Sequence, residues 1–237
     1  MTNAQIGIVN TSPCWRGWIP LAAIMVIIAL AGSSVARAQD APAGAVVDTS
    51  DAALVRSLPG FENGYADVNG TRLHYVAGGK GAPLFLLPGW PQTWWEFHRM
   101  MPALAAQFRV IAVDLRGMGG SGKPMTGYDK KTMAKDIFEL ARHLGYEKVN
   151  IAGHDIGSMV AFSFAANYPE TTLKLALLDV PHPDEFFAKL TLLPGHLKDA
   201  LPRKATNFRL VKIEDSGHFI PEEQPKIASR LLIEFFK

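Results

Sequence analysis

Cysteine is almost missing from this chain: Cys14 is the only one in 237 residues. One cysteine cannot form an internal disulfide framework or a thiolate metal site, so disulfide-stapled and zinc-ribbon classes are excluded. Runs of lysine and arginine are missing too, which argues against a nucleic-acid partner or a polybasic membrane patch. No twin arginine precedes the one long apolar run, so general export is the expected route rather than transport of a folded protein. Neither a Walker loop nor a dinucleotide-binding glycine pattern occurs. No cofactor and no metal are therefore expected.

What is present near the start reads as an address. Arg16 precedes the apolar run from Leu21 to Ala31, and Ala36-Arg37-Ala38 follows with small residues around a cleavage point. A basic start, an apolar stretch of about 7–15 residues and an A-x-A end describe a secretory signal. The run is short of the roughly 20 residues that span a bilayer. Residues 1–38 are thus expected to be a signal peptide, and the protein is expected to be periplasmic or secreted, without membrane attachment after cleavage. Cys14 would leave with this segment, as would Arg16 and Arg37. The remainder would carry 22 basic and 22 acidic residues.

Residues 39–60, rich in Ala, Pro, Asp and Ser, are read as a flexible lead-in, and residues 61–237 as one core domain. In that core, Tyr65–Val68 and Arg72–Val76 flank Asn69-Gly70, the signature of a two-residue hairpin turn. Short buried-type strands follow at Leu84–Leu87, Val110–Val113, Val149–Ala152, Leu175–Leu178 and Leu210–Ile213. Helical spacing marks Trp95–Ala106, Lys131–Leu144, Met159 to about Asn167, and Lys226–Phe236. Strands alternating with helices after an initial hairpin predict an α/β fold, a mostly parallel twisted sheet with helices on both faces.

Gly153-His154-Asp155-Ile156-Gly157 closes the strand beginning at Val149 and opens a helix. G-x-D-x-G at such a junction is the nucleophile-elbow pattern with a carboxylate in place of serine. A carboxylate displaces a leaving group and is left as an ester, which water must then cleave. Parallel sheets place their sites beyond the C-terminal strand ends. Those ends here carry Pro88-Gly89-Trp90-Pro91, Asp114-Leu115-Arg116-Gly117, Asp179-Val180-Pro181-His182 and Gly217-His218-Phe219. Asp155, Asp179 and His218 therefore reach one rim, in the chain order nucleophile, acid, histidine. Asp179 also suits a turn before Pro181. Trp94 and Trp95 are read as packing residues, the Asp114–Gly122 loop as structural, and Ser158 as pointing into its helix.

Taken together, P-G-W-P-Q-T-W-W-E-F at 88–97, D-L-R-G-M-G-G-S-G-K-P at 114–124, G-H-D-I-G at 153–157, L-D-V-P-H-P at 178–183 and G-H-F-I-P-E-E-Q-P at 217–225 resemble α/β-hydrolases of the epoxide hydrolase/haloalkane dehalogenase group. The likeness is strongest to exported epoxide hydrolases. It implies the α/β-hydrolase fold, Asp155 as nucleophile, His218 as the base that activates water, and Asp179 as the acid orienting that histidine. Backbone N–H groups of Trp90 and Ile156 would form the oxyanion hole. The implied substrate is a small apolar epoxide, converted to a diol.

Three departures qualify the resemblance. Family members insert a helical cap between the orienting acid and the histidine, whereas only 39 positions separate Asp179 from His218. A capless core is expected, with Leu190–Leu193 as the penultimate strand. Cap tyrosines that would protonate an epoxide oxygen are absent; Tyr65, Tyr75, Tyr128, Tyr146 and Tyr168 all precede that interval, leaving His182 or His196 as substitutes. Haloalkane and fluoroacetate dehalogenases place Trp or Arg after the nucleophile, where this chain has Ile156. Two alternatives stay open: a dehalogenase acting on an organohalide with the same triad, and a shortened, catalytically inactive hydrolase. Oligomeric state is not readable.

Overall fold

Among the described residues, eight strands form one sheet in the order β2-β3-β5-β4-β6-β7-β1-β8. The computed structural model describes residues 4–8, 48–179, 207–211 and 213–237. The strands are β1 (Ala4–Ile8), β2 (Phe61–Val68), β3 (Thr71–Gly78), β4 (Ala82–Leu87), β5 (Phe108–Val113), β6 (Val149–His154), β7 (Thr172–Leu178) and β8 (Asn207–Val211). The helices are α1 (Asp51–Arg56), α2 (Met101–Ala105), α3 (Lys130–His143), α4 (Ile156–Asn167), α5 (Ile220–Glu223) and α6 (Pro225–Phe236), with a 3-10 turn at Trp94–Phe97.

The hairpin forms where Asn-Gly predicts it. Asn69 and Gly70 both take positive φ, 45° and 72°, and Val68 pairs with Thr71. β3 then pairs antiparallel with β5, and every later pairing is parallel. Parallel strands buried on both faces need continuous apolar sequence. Leu84, Phe85, Leu86 and Leu87 answer that need, each fully buried. One face packs Leu84, Leu86, Val110, Ala112 and Ala152 against Trp94, Phe97 and Leu232. The other packs Phe85, Leu87, Ile111, Val113 and Ile151 against Ile137, Leu140 and Phe164.

Three expectations need revision. Residues 51–56, read as part of a flexible lead-in, form a helix: Ser50 caps it by accepting from the Ala53 N–H, and Val55 and Leu58 enter the core. The helix read over Trp95–Ala106 is broken into a 3-10 turn and α2. Pro102 in the first turn of α2 has no N–H to continue a ladder from the preceding turn. The position between β7 and β8, expected for Leu190–Leu193, is occupied by Ala4–Ile8, paired in parallel with both neighbours. Strands two spacings apart cannot bond directly, so any extended segment that saturates both edges can fill such a gap. Leu190–Leu193 themselves lie outside the described residues, as do His182 and His196. Among the described residues, no helix is long and apolar enough to cross a membrane.

Candidate active site

Asp155 stands at the sharp junction of β6 and α4 with φ 46° and ψ −119°. A non-glycine residue there is strained, and such strain collects at sites that must project a side chain. The flanking glycines permit the turn by close backbone approach. A Cβ on Gly153 would lie 2.2 Å from the Gly157 carbonyl oxygen, and one on Gly157 would lie 2.1 Å from that of Leu87. Ser158 is fully buried; its hydroxyl donates to the Gly153 carbonyl at 2.5 Å and accepts from the Leu178 N–H. It braces the elbow and is no nucleophile.

The loop after β4 faces this carboxylate. The Trp90 N–H donates to Asp155 Oδ2 at 3.1 Å, and the Trp90 side chain is 68% exposed at the rim. Ile156 opens α4, in the first turn, where amide N–H groups have no partner within the helix. At the end of β7, Asp179 has φ 40°, and its Oδ2 lies 2.5 Å from His218 Nδ1. Glu223 holds the histidine loop from outside by accepting the Gly217 and Phe219 N–H groups. Sequence reasoning assigned Asp155, Asp179, His218, Trp90 and Ile156 to one rim, and the structure brings them to the C-terminal edge of the sheet.

Two residues of this site were not singled out from sequence. His154 and Glu96 are fully buried side by side, with His154 Nδ1 2.9 Å from Glu96 Oε1, off the line of a well-formed hydrogen bond. His154 Nε2 lies 2.7 Å from the His218 carbonyl oxygen, and Glu96 Oε2 accepts the Gly89 N–H at 2.9 Å. Burial works to lower the His154 pKa, but the Glu96 carboxylate, with help from the His218 carbonyl and Asp155, outweighs it and the net shift is upward. The signal was available: histidine ending an apolar, doubly buried strand, where an ionisable side chain must find a partner.

The glycine-rich loop after β5 is structural. Asp114 is buried and accepts from His74 Nδ1, the Trp94 N–H and the Gly120 N–H, all at 2.8 Å. Arg116 forms a two-point pair with Asp136, and that hydrogen bonding raises its pKa. It also donates to the Asn69 and Thr126 carbonyls. Trp94 is fully buried and donates to Asp51, while Trp95 stacks on His98 at 4.1 Å. Both tryptophans serve packing. Asp51, His74 and Asp114 lie close enough for a metal, as do His154, Asp179 and His218. In the first group His74 Nδ1 already bonds Asp114 and Asp51 accepts from the Trp94 indole N–H; in the second His218 Nδ1 bonds Asp179 and His154 Nε2 bonds the His218 carbonyl.

The family model described as alpha/beta hydrolase fold matches residues 82–204. The chain belongs to the α/β-hydrolase family. Within that family it falls in the epoxide hydrolase group. This α/β-hydrolase is 50% identical over 137 residues to a soluble epoxide hydrolase of Corynebacterium sp. (strain C12), covering 56% of this chain and 48% of the relative. It is 40% identical over 126 residues to a fluoroacetate dehalogenase of Burkholderia sp., covering 51% and 41% respectively. The chain thus spans about half the length of the curated relatives it matches. Among solved structures, the epoxide hydrolase CorEH superposes with a TM-score of 0.64 at 30% identity, covering 75% of this α/β-hydrolase and 98% of that chain.

Proposed function

We propose that this α/β-hydrolase opens small apolar epoxides through an ester on Asp155. The observation that carries the reading is the projection of Asp155 at the elbow, opposite a histidine already paired with Asp179. An Asp155 oxygen attacks an epoxide carbon, the ring C–O bond breaks, and the released oxygen takes a proton from solvent water to become a hydroxyl. His218 then removes a proton from water as the water oxygen attacks the ester carbonyl. Asp179 accepts from Nδ1 and keeps Nε2 free for that proton. The tetrahedral oxyanion is held by the Trp90 and Ile156 N–H groups, each such donor being worth about 10²–10³ in rate. On collapse the departing oxygen is protonated and leaves in the diol, the carboxylate is restored, and His218 gives its proton back to solvent.

A dehalogenase reading is favoured by one observation, the 40% identity to fluoroacetate dehalogenase. Ile156 after the nucleophile speaks against it, since a halide needs a donor there. The short interval between Asp179 and His218 supports a core without a cap, with its substrate exposed to water at the rim. One experiment separates these readings. His218→Gln protein is incubated with styrene oxide or with a haloalkane, and intact mass is measured. An adduct with styrene oxide is expected; an adduct with the haloalkane alone would support the second reading, and none with either would overturn catalysis by Asp155.

Export is a further part of the proposal, resting on Arg16, the apolar run and Ala36-Arg37-Ala38. Cleavage after Ala38 would remove Ala4–Ile8, so the signal and the strand are alternative uses of the same residues. N-terminal sequencing of the protein from the periplasm or medium is expected to begin near Gln39; protein found only in the cytoplasmic fraction, with Met1 retained, would overturn export.

A further inference from the structure

His154 and Glu96 are the ionisable side chains at this site to which the ester mechanism gives no task. Both are fully buried, where an ion pair costs several kcal/mol unless its atoms are well used. Here they tie three elements together. Glu96 comes from the 3-10 turn, accepts the Gly89 N–H at the end of β4, and faces His154 Nδ1. On the far side of the ring, Nε2 meets the His218 carbonyl, which can only accept, so Nε2 carries a proton. The rings of His154 and His218 lie 4.7 Å apart at 43°. The charged and titratable groups facing His154 are Glu96, Asp155, Asp179 and His218.

The His218 side chain is 43% exposed, on a loop. Its outer tether is Glu223, which grips the neighbouring amides of Gly217 and Phe219 at the surface. The inner tether is the His154 Nε2–H. We propose that His154, oriented by Glu96, is a positioning residue. Its Nε2–H holds the His218 carbonyl and so sets the depth at which the His218 ring stands between Asp179 and the ester on Asp155. This rests on the ester mechanism proposed above.

Two substitutions separate positioning from simple burial. The amide nitrogen of glutamine reaches the place of Nε2, and that of asparagine the place of Nδ1. His154→Gln and His154→Asn both remove the imidazole ring from Glu96, but only glutamine keeps the link to His218. After single-turnover loading with styrene oxide, loss of the Asp155 adduct is followed by intact mass. Misplacement by about 1 Å can cost about 10²-fold, so His154→Asn is expected to slow adduct hydrolysis about that much and His154→Gln only about threefold. In substrate-free protein, the downfield Nδ1 proton of His218 is expected to persist in His154→Gln and to move in His154→Asn. Equal behaviour of the two variants overturns the positioning role. A His218→Gln protein that forms no adduct sinks the ester mechanism instead, and the proton resonance in otherwise wild-type protein still decides whether His154 sets the His218 ring. Should His154→Asn not fold, the wild-type His154 Nε2 proton decides: slow exchange with solvent is expected, and fast exchange overturns the tether.

Discussion

His218 Nδ1 lies 2.5 Å from Asp179 Oδ2, joining the loop after the last strand to the end of β7. The contact favours a proton on Nδ1 and leaves Nε2 free, the nitrogen that acts on water in the proposed mechanism. Asp179→Asn preserves shape but supplies a donor where an acceptor is needed. Turnover of styrene oxide is expected to fall about 10⁴-fold, by analogy with loss of the acid in serine triads, while the Asp155 adduct still forms. Steady-state rates beside intact mass check both halves, and an unaltered rate would remove Asp179 from the mechanism.

Gly157→Ala tests the elbow. Its new methyl would meet the Leu87 carbonyl at 2.1 Å in a strand that cannot move without breaking the sheet. Destabilisation of more than about 4 kcal/mol, or failure to accumulate soluble protein, is expected. Gly145→Ala is the control. Its φ is 81°, yet nothing lies within 4 Å, so only the left-handed backbone penalty of about 1–2 kcal/mol applies. Urea midpoints of the two variants should differ accordingly.

Arg116 and Asp136 are both nearly buried and bonded at two points. Arg116→Ala strands the Asp136 carboxylate, to which, among the described residues, only Asn69 Nδ2 still donates. A loss of about 3–5 kcal/mol is expected from an uncompensated buried charge, measured by chemical denaturation. A loss below about 1 kcal/mol would place this pair with ordinary surface bridges.

The His154 pKa is raised in the folded protein, chiefly because Glu96 overcomes the opposing effect of burial. The folded state therefore holds this proton more tightly than the unfolded chain, where histidine titrates near about 6.5. Its contribution to stability is complete below that pH and is lost as pH rises through the folded value. Urea midpoints are expected to fall on going from about pH 6 to alkaline pH, and His154→Gln should flatten this slope. An identical slope in the variant would contradict the ion pair.

Much of the fold is legible in the residues themselves. Asn69-Gly70 announces its turn because few other residues accept consecutive positive φ angles, and Leu84–Leu87 announces a doubly buried strand. The Trp95–Ala106 pattern misleads because apolar spacing survives a break in the helix between Phe97 and Met101, just before Pro102. The short helix from Asp51 is hidden in an Ala- and Asp-rich stretch whose order comes from Val55 and Leu58 entering a core assembled elsewhere.

The site divides the same way. Local sequence determined the elbow, since glycines on both sides of Asp155 are a steric requirement of that turn, and chain order suggested its acid and histidine. Only the tertiary structure decided what stands behind them. Glu96 arrives from the 3-10 turn at Trp94–Phe97 and His154 from the end of β6, and nothing in either neighbourhood specifies the other. Their pairing, and the Nε2–H that reaches His218, exist because the folded sheet buries both side chains in one place, where each must satisfy the other.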